Sequence, residues 1–146
     1  MKQFKLWNNI LGWGTFAIAA FVYLSTIEPT ASWWDCGEYI ATAFKLQVGH
    51  SPGAPLFQLV GRFFSLFAGD DTSKVAMMIN SMSALFSALT ILFLFWSITM
   101  LALKLVGNEE EMSLGTSIAV LGSGLVGALA YTFTDSFLKN LYISSP

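Results

Sequence analysis

Charged residues are scarce in this chain. Of its 146 residues, Asp, Glu, Lys and Arg make up 11%, whereas apolar residues make up 55% and the mean hydropathy is +0.63. A soluble domain carries about 25% charged residues, so this chain has too few to cover a surface that faces water on all sides. The composition excludes an ordinary soluble enzyme, a disordered tail and a coiled coil. It predicts an integral membrane protein whose first partner is the lipid bilayer.

Basic residues, cysteine and histidine are also few. Seven Lys and Arg against nine Asp and Glu give a formal charge of −2, so no basic surface is available to hold nucleic acid. The single cysteine, Cys36, excludes an internal disulfide, and one cysteine with one histidine cannot form a structural zinc site. Asp35 and Glu38 alone do not complete a ligand set. We therefore expect neither a metal nor another cofactor.

Three long apolar runs predict an all-α integral membrane fold with about three transmembrane helices. They cover residues 10–27, 75–105 and 114–134, and a spanning helix needs about 20 mostly apolar residues. The second run would reach about 45 Å, so it must tilt or extend beyond the hydrocarbon core. The third is rich in glycine and alanine, which favours close helix packing.

The N-terminus carries Lys2 and Lys5 before the first run. A cleaved signal peptide is one interpretation, but the run is long and no small-residue cleavage site follows it. We interpret the run as a retained first helix. Under the positive-inside rule the lysines predict a cytoplasmic N-terminus and an extracytoplasmic first loop, residues 28–74. Within that loop, residues 34–48 and 56–68 are predicted to form short interfacial helices.

Two acidic residues in the loop are candidate catalytic groups. Asp35 and Glu38 stand three apart in WWDCGEYI, so a helix would place both carboxylates on one face. In that position one carboxylate would act as a general base and the other as its companion. The alternative is a solvated first turn, where acids are favoured by the helix dipole.

Two basic residues of the same loop are candidates for binding the phosphate of a donor substrate. His50 lies in GHSPGAP, where glycine and proline impose an irregular backbone that exposes N–H groups. Arg62 lies among apolar neighbours and needs an anionic partner unless it extends to water. The alternatives are a turn histidine that faces water and an arginine that snorkels.

Three further residues are weaker candidates for substrate contacts. Glu28 and Asp135 follow the first and third predicted helices, and Trp34 could stack on a sugar ring. Interfacial helix ends tolerate acids, and tryptophan is common in the aromatic belt at a membrane surface. These ordinary explanations remain open for all three.

Residues 26–69, TIEPTASWWDCGEYIATAFKLQVGHSPGAPLFQLVGRFFSLFAG, resemble the N-terminal signature of a known family. This is the bacterial domain-of-unknown-function family 2723, also called glycosyltransferase family 117, which is similar to protein O-mannosyltransferases of the GT-C type. The resemblance implies the N-terminal part of a GT-C-like fold, with Asp35 as the catalytic base and Glu38 as its companion. GHSPGAP resembles the His/Pro-Pro motif of O-mannosyltransferases, except that Ser51 stands where the commonest form has proline.

The resemblance also implies a reaction and a location. A sugar would pass with inversion from a polyprenyl-phosphate donor to a protein or glycan hydroxyl, in the inner membrane of a bacterium. Asp35 would take the hydroxyl proton, and Arg62 or His50 would stabilise the leaving phosphate.

The end of the chain departs from the family pattern. Members continue for many more helices, whereas residues 135–146 form an atypical tail. We therefore expect an N-terminal fragment that is inactive alone. The alternative is a small non-enzymatic membrane subunit that packs through the third helix, on the face of Gly122, Gly124 and Gly127. A transporter fragment is less favoured because intramembrane charges are few.

Overall fold

A computed structural model of the chain describes residues 2–31, 35–51, 53–107 and 112–134. These residues form only helices and connecting segments, so the predicted all-α class is confirmed for the described part of the chain. The α-helices are α1 (Lys2–Ser25), α2 (Cys36–Lys45), α3 (Pro55–Ser65), α4 (Val75–Val106) and α5 (Leu114–Thr132). Two short 3₁₀ helices, Leu66–Ala68 and Thr72–Lys74, lie between α3 and α4.

Two of the described helices are long and apolar enough to cross a membrane. One is Thr72–Val106, which contains α4, and the other is α5. The 32 residues of α4 extend for about 48 Å, well beyond a hydrocarbon core of about 30 Å. The 24-residue helix α1 does not meet the same test. Its role as a first membrane span stays a prediction.

Local backbone geometry explains where α2 ends and where α3 begins. Leu46 adopts a left-handed conformation (φ 51°, ψ 47°), and its N–H and that of Gln47 bond back to carbonyls of α2. This Schellman-like arrangement ends α2 at Lys45, three residues before the predicted end. Pro55 opens α3, because its fixed φ and missing N–H suit the first helical position.

The chain divides into two compact units. We call residues 2–23, 87–107 and 112–134 the bundle unit, and the described residues of 24–86 the loop unit. In the bundle unit the helices approach closely at glycines. A Cβ added at Gly12 would lie 2.6 Å from Trp96 Nε1, and one at Gly127 would lie 2.7 Å from Ile98 Cδ1. Small residues are therefore required at these crossings.

The loop unit has its own apolar core. The buried members are Ala43 of α2, Ala68 of the first 3₁₀ helix, and Val75, Ile79 and Met82 of α4. A Cβ added at Gly61 would lie 3.0 Å from the Ala43 Cβ, so α2 and α3 touch at these small residues. This packing holds α2 against α3 and the first part of α4.

Candidate functional site

The N-terminal end of α2 carries the two predicted catalytic acids. Asp35 is the N-cap residue and Glu38 lies in the first turn, and both positions favour acids because of the helix dipole. The Asp35 carbonyl accepts the Tyr39 N–H at 2.9 Å, but its carboxylate makes no capping hydrogen bond. The carboxylate of this cap residue is therefore directed to another partner.

That partner is His50, which the loop after α2 brings back to the start of the helix. A turn closes this loop, with the Gly53 N–H bonded to the His50 carbonyl at 2.8 Å and Gly53 at φ 70°. Glu38 Oε1 accepts the His50 backbone N–H at 2.8 Å, and Glu38 Oε2 lies 2.8 Å from His50 Nδ1. His50 Nε2 faces Asp35 Oδ2 at 3.8 Å. We call these three residues the carboxylate–histidine cluster.

Hydrogen bonding between Glu38 and His50 shifts the pKa values of both groups. The two bonds from His50 lower the pKa of Glu38, because they stabilise its ionised form. The bond to Glu38, followed by the negative charges of Glu38 and Asp35, raises the pKa of His50. The side chains are about half exposed, at 47%, 41% and 47% for Asp35, Glu38 and His50, so water still reaches them.

These opposite shifts predict that docking of the His50 loop depends on pH. The contribution of Glu38 to the stability of the docked loop is present above its ordinary pKa of 4.5. It is lost as the pH falls through the lowered pKa of Glu38. The contribution of His50 is present below its ordinary pKa of 6.5 and is lost as the pH rises through the raised value. Protection of the His50 amide from hydrogen exchange, corrected for intrinsic exchange, should therefore be greatest between the two ordinary pKa values, 4.5 and 6.5. Glu38→Gln should flatten the profile, and a flat profile in the unaltered chain would contradict the prediction.

The three side chains of the cluster could also bind a metal ion. Asp35, Glu38 and His50 each offer one ligand atom, and these atoms lie within 4.8 Å of one another. Carboxylate and imidazole together suit several divalent metals, with water completing the coordination. Asp35 and Glu38 alone do not complete a ligand set, and the structure places His50 beside them as a third possible ligand. The absence of a metal stays a prediction.

Arg62 lies near the other end of α2. Its Nη1 donates to the Phe44 carbonyl at 2.9 Å and to Ser65 Oγ at 3.4 Å, and the guanidinium stacks 5.2 Å from the centre of the Phe44 ring. The Cα atoms of Asp35 and Phe44 are about 13 Å apart along the helix, at 1.5 Å per residue. The structure therefore brings three of the four main candidates together and places Arg62 at the C-terminal end of the helix.

Glu28 has a local partner and is joined to α4. Its Oε1 accepts the Thr30 hydroxyl at 2.6 Å, and Asn80 Nδ2 donates to the carbonyls of Glu28 and Thr30 at 2.9 and 3.0 Å. Asn80 was missed by the sequence analysis, although an amide in a long apolar helix is a recognisable signal. The predicted contacts of Trp34 and Asp135 fall outside the described residues.

A cavity of about 370 Å³ opens beside the cluster in the loop unit. Tyr39 connects the two, because it lines the cavity and its ring lies edge-on to His50 with the centroids 6.1 Å apart. The remaining lining residues are Cys36, Ile40, Ala54, Phe57, Ile79, Asn80 and Ser83. A second cavity, of about 410 Å³, shares Phe57 and Ser83 with the first and is otherwise lined by Leu56, Val60, Met82 and Phe86. The first cavity, next to the polar cluster, thus has a mixed lining, and the second has a more apolar one.

A known protein family matches the part of the chain that contains the cluster. The family described as "Protein O-mannosyl-transferase TMEM260 N-terminal domain" matches residues 35–142, which include the whole carboxylate–histidine cluster. The chain belongs to this family. The resemblance to O-mannosyltransferases is thereby confirmed, and the chain is a glycosyltransferase-like membrane protein. The names family 2723 and GT-C stay predictions.

Two curated relatives carry the same name. The protein O-mannosyl-transferase TMEM260 of Dictyostelium discoideum is 32% identical over 83 residues, which are 57% of this chain and 10% of the relative. That of Mus musculus is 34% identical over 84 residues, which are 57% of this chain and 12% of the relative. The chain therefore spans about a tenth of the length of these relatives. No solved structure matches it at a significant level.

Proposed function

We propose that this chain forms the N-terminal part of a membrane O-mannosyltransferase that uses a polyprenyl-phosphate sugar as donor and a protein or glycan hydroxyl as acceptor. One observation carries the proposal. In a chain of the TMEM260 N-terminal family, two carboxylates and a histidine converge beside a cavity at the start of α2. A general base with a positioned companion is the machinery that activation of a hydroxyl requires.

The proposed reaction is a direct displacement at the anomeric carbon. Asp35 takes the proton of the acceptor hydroxyl while the hydroxyl oxygen forms its bond to the sugar. The bond from the anomeric carbon to the phosphate oxygen breaks, and its electron pair stays on the lipid phosphate. Attack from the face opposite the leaving group inverts the configuration of the sugar carbon.

The leaving phosphate gains one negative charge, and two groups of this chain are proposed to bind it. His50 in its protonated form provides a cationic imidazolium. Arg62 uses two of its five N–H donors for the bonds to Phe44 and Ser65, which leaves three for the phosphate. A cation near the developing charge lowers the barrier of such a step. Glu28, Trp34 and Asp135 are proposed as further substrate contacts.

The two adjoining cavities support a lipid-linked donor. The first borders the polar cluster, and the second is lined almost wholly by apolar side chains. A polyprenyl-phosphate sugar has the same polarity, with a charged head and an apolar tail. Holding the head group beside the acceptor would supply much of the rate through orientation.

In this proposal the N-terminus is cytoplasmic and the loop unit is extracytoplasmic. The part of the enzyme held by this chain contains the base but is inactive without the remaining helices. The bacterial inner membrane stays a prediction. The alternative of a non-enzymatic subunit has less support, because Gly124 and Gly127 of its proposed docking face contact α4 of the same chain.

A transfer assay tests the proposed function. The gene is read beyond the codon for Pro146, and the longest protein that contains this chain is produced in membranes. These membranes receive a Ser/Thr peptide with either radiolabelled polyprenyl-phosphate mannose or GDP-mannose. We expect label on the peptide from the lipid donor and none from the nucleotide when lipid carrier is absent. Transfer from the nucleotide alone, or from neither donor, would overturn the proposal.

A further inference from the structure

Asn80 is a polar residue on the long apolar helix α4, and it lines the first cavity of the loop unit. Its side-chain amide has two hydrogens to donate. Nδ2 donates to the Glu28 carbonyl at 2.9 Å and to the Thr30 carbonyl at 3.0 Å. These two bonds fix the orientation of the amide, so the atom that Asn80 can offer to a ligand is the acceptor Oδ1.

Ser83 lies one turn further along α4 and lines the same cavity. Residues three apart on a helix are neighbours on its surface, so the two polar side chains lie on one face of α4. Ser81 and Thr99 donate their hydroxyls to carbonyls of α4 itself. In the part of the chain that the structure describes, neither Ser83 Oγ nor Asn80 Oδ1 has a hydrogen-bond partner, and neither is a buried atom. Both oxygens are therefore available to a ligand in the cavity.

The hydrogen-bonding chemistry of these two oxygens selects a hydroxyl group as ligand. Asn80 Oδ1 only accepts hydrogen bonds, and the oxygens of an ionised phosphate also only accept them, so the two cannot bond to each other. A hydroxyl can donate to Asn80 Oδ1, and it can donate to or accept from Ser83 Oγ. A sugar carries hydroxyls on neighbouring carbons, which suits two polar groups one helical turn apart.

We propose that Asn80 and Ser83 form a subsite that binds hydroxyl groups of the donor's sugar, and that the segment after α1 holds the Asn80 amide in place. This inference rests on the proposed function, because a sugar-bearing lipid is the donor only in that reaction. The subsite is separate from the groups proposed for the phosphate and for the proton. Asn80 and Ser83 bind substrate and take no part in proton transfer.

The cavity brings a sugar bound at α4 next to the carboxylate–histidine cluster. Cys36, the residue after Asp35, lines the cavity from α2, and Asn80 and Ser83 line it from α4. Its volume of about 370 Å³ is at the lower end of the range for small-molecule sites, about 300–1,000 Å³, which suits one sugar rather than a whole lipid. The second cavity shares Ser83 with the first and is left for the apolar tail.

A binding experiment without acceptor tests the subsite. The longest protein that contains this chain is placed in nanodiscs and titrated with polyprenyl-phosphate mannose or with bare polyprenyl phosphate. Asn80→Ala and Ser83→Ala should each raise the Kd for the mannosyl lipid about 3- to 10-fold, the usual effect of losing one neutral hydrogen bond. The Kd for the bare lipid should not change. Ser81→Ala is the matched control, because Ser81 Oγ bonds to the Met77 carbonyl and Ser81 is not a lining residue of the first cavity.

The two lipids separate failure of the inference from failure of the proposed function. Equal weakening of both lipids by Asn80→Ala and Ser83→Ala would mean that these residues bind the phosphate or support the fold, and would overturn the inference. Binding of neither lipid by the unaltered protein would overturn the proposed function, and the inference with it.

Transfer from deoxy donors tests whether Asn80 contacts the sugar itself. Donors that each lack one hydroxyl of mannose are compared in the transfer assay. For one of them, kcat/KM of the unaltered protein should fall about 3- to 10-fold, and Asn80→Ala should show no further loss when that hydroxyl is absent. If Asn80→Ala lost the same factor with every donor, Asn80 would act only on the fold. If the variant changed only KM for the acceptor peptide, Asn80 would bind the acceptor. Either result would overturn the inference.

Discussion

Asp35→Asn is expected to reduce sugar transfer by about 10²- to 10⁴-fold, the range that general acid–base catalysis contributes. The amide has the size and shape of the carboxyl group but cannot accept the proton of the acceptor hydroxyl. Asparagine is as good an N-cap residue as aspartate, so α2 should form as before. The loss should therefore appear in kcat, with the helix content and the amount of protein in the membrane unchanged.

Asp70→Asn is the control for this experiment. Asp70 is exposed in the turn after the first 3₁₀ helix, within the same unit as Asp35. The two variants make the same chemical change and differ only in the neighbourhood of the residue. Transfer rates are measured with saturating lipid donor and acceptor peptide. Equal rates for the Asp35 variant and the unaltered protein would remove Asp35 from the role of base.

Gly124→Ala is expected to destabilise the bundle unit by about 1–3 kcal/mol, the usual cost of adding atoms to a packed interface. A Cβ at this position would lie 2.5 Å from Thr99 Cγ2 and 3.0 Å from Phe95 Cε2. Thr99 is β-branched and Phe95 is fully buried, so neither side chain moves without disturbing α4. The contact between α4 and α5 should therefore open.

Gly122→Ala is the matched control on the same helix. No atom outside the neighbouring backbone lies within 4 Å of a Cβ at Gly122, and alanine favours a helix by up to about 1 kcal/mol over glycine. We expect this variant to be as stable as the unaltered chain or slightly more so. Denaturation in mixed micelles, followed by circular dichroism, measures the stability of both glycine variants. If the Gly122 and Gly124 variants lost the same stability, the proposed packing of α5 on α4 would be wrong.

The amino-acid sequence was sufficient for features that depend on composition and on spacing along one helix. The low charge and the apolar runs led to an all-α membrane protein, and α4 and α5 are the two described helices that pass the test for spanning. The three-residue spacing of Asp35 and Glu38 placed both on one side of α2, because helical periodicity is a local property. The end of α2 was harder to predict, because Leu46 ends this helix in a left-handed conformation that no sequence pattern indicates.

Only the tertiary structure decided which distant groups meet. The phosphate-binding role of His50 stays a proposal, but its contact with Glu38, formed by the turn that Gly53 closes, appears only in the structure. Arg62 was expected to need an anionic partner or to extend to water, and the structure shows that it also bonds to the Phe44 carbonyl near the end of α2. Asn80, which drew no attention in the sequence, holds the segment after α1. The physical reason is the same in each case. Contacts between residues far apart depend on how the loop closes and how small residues let helices approach, and periodicity along a single helix contains neither.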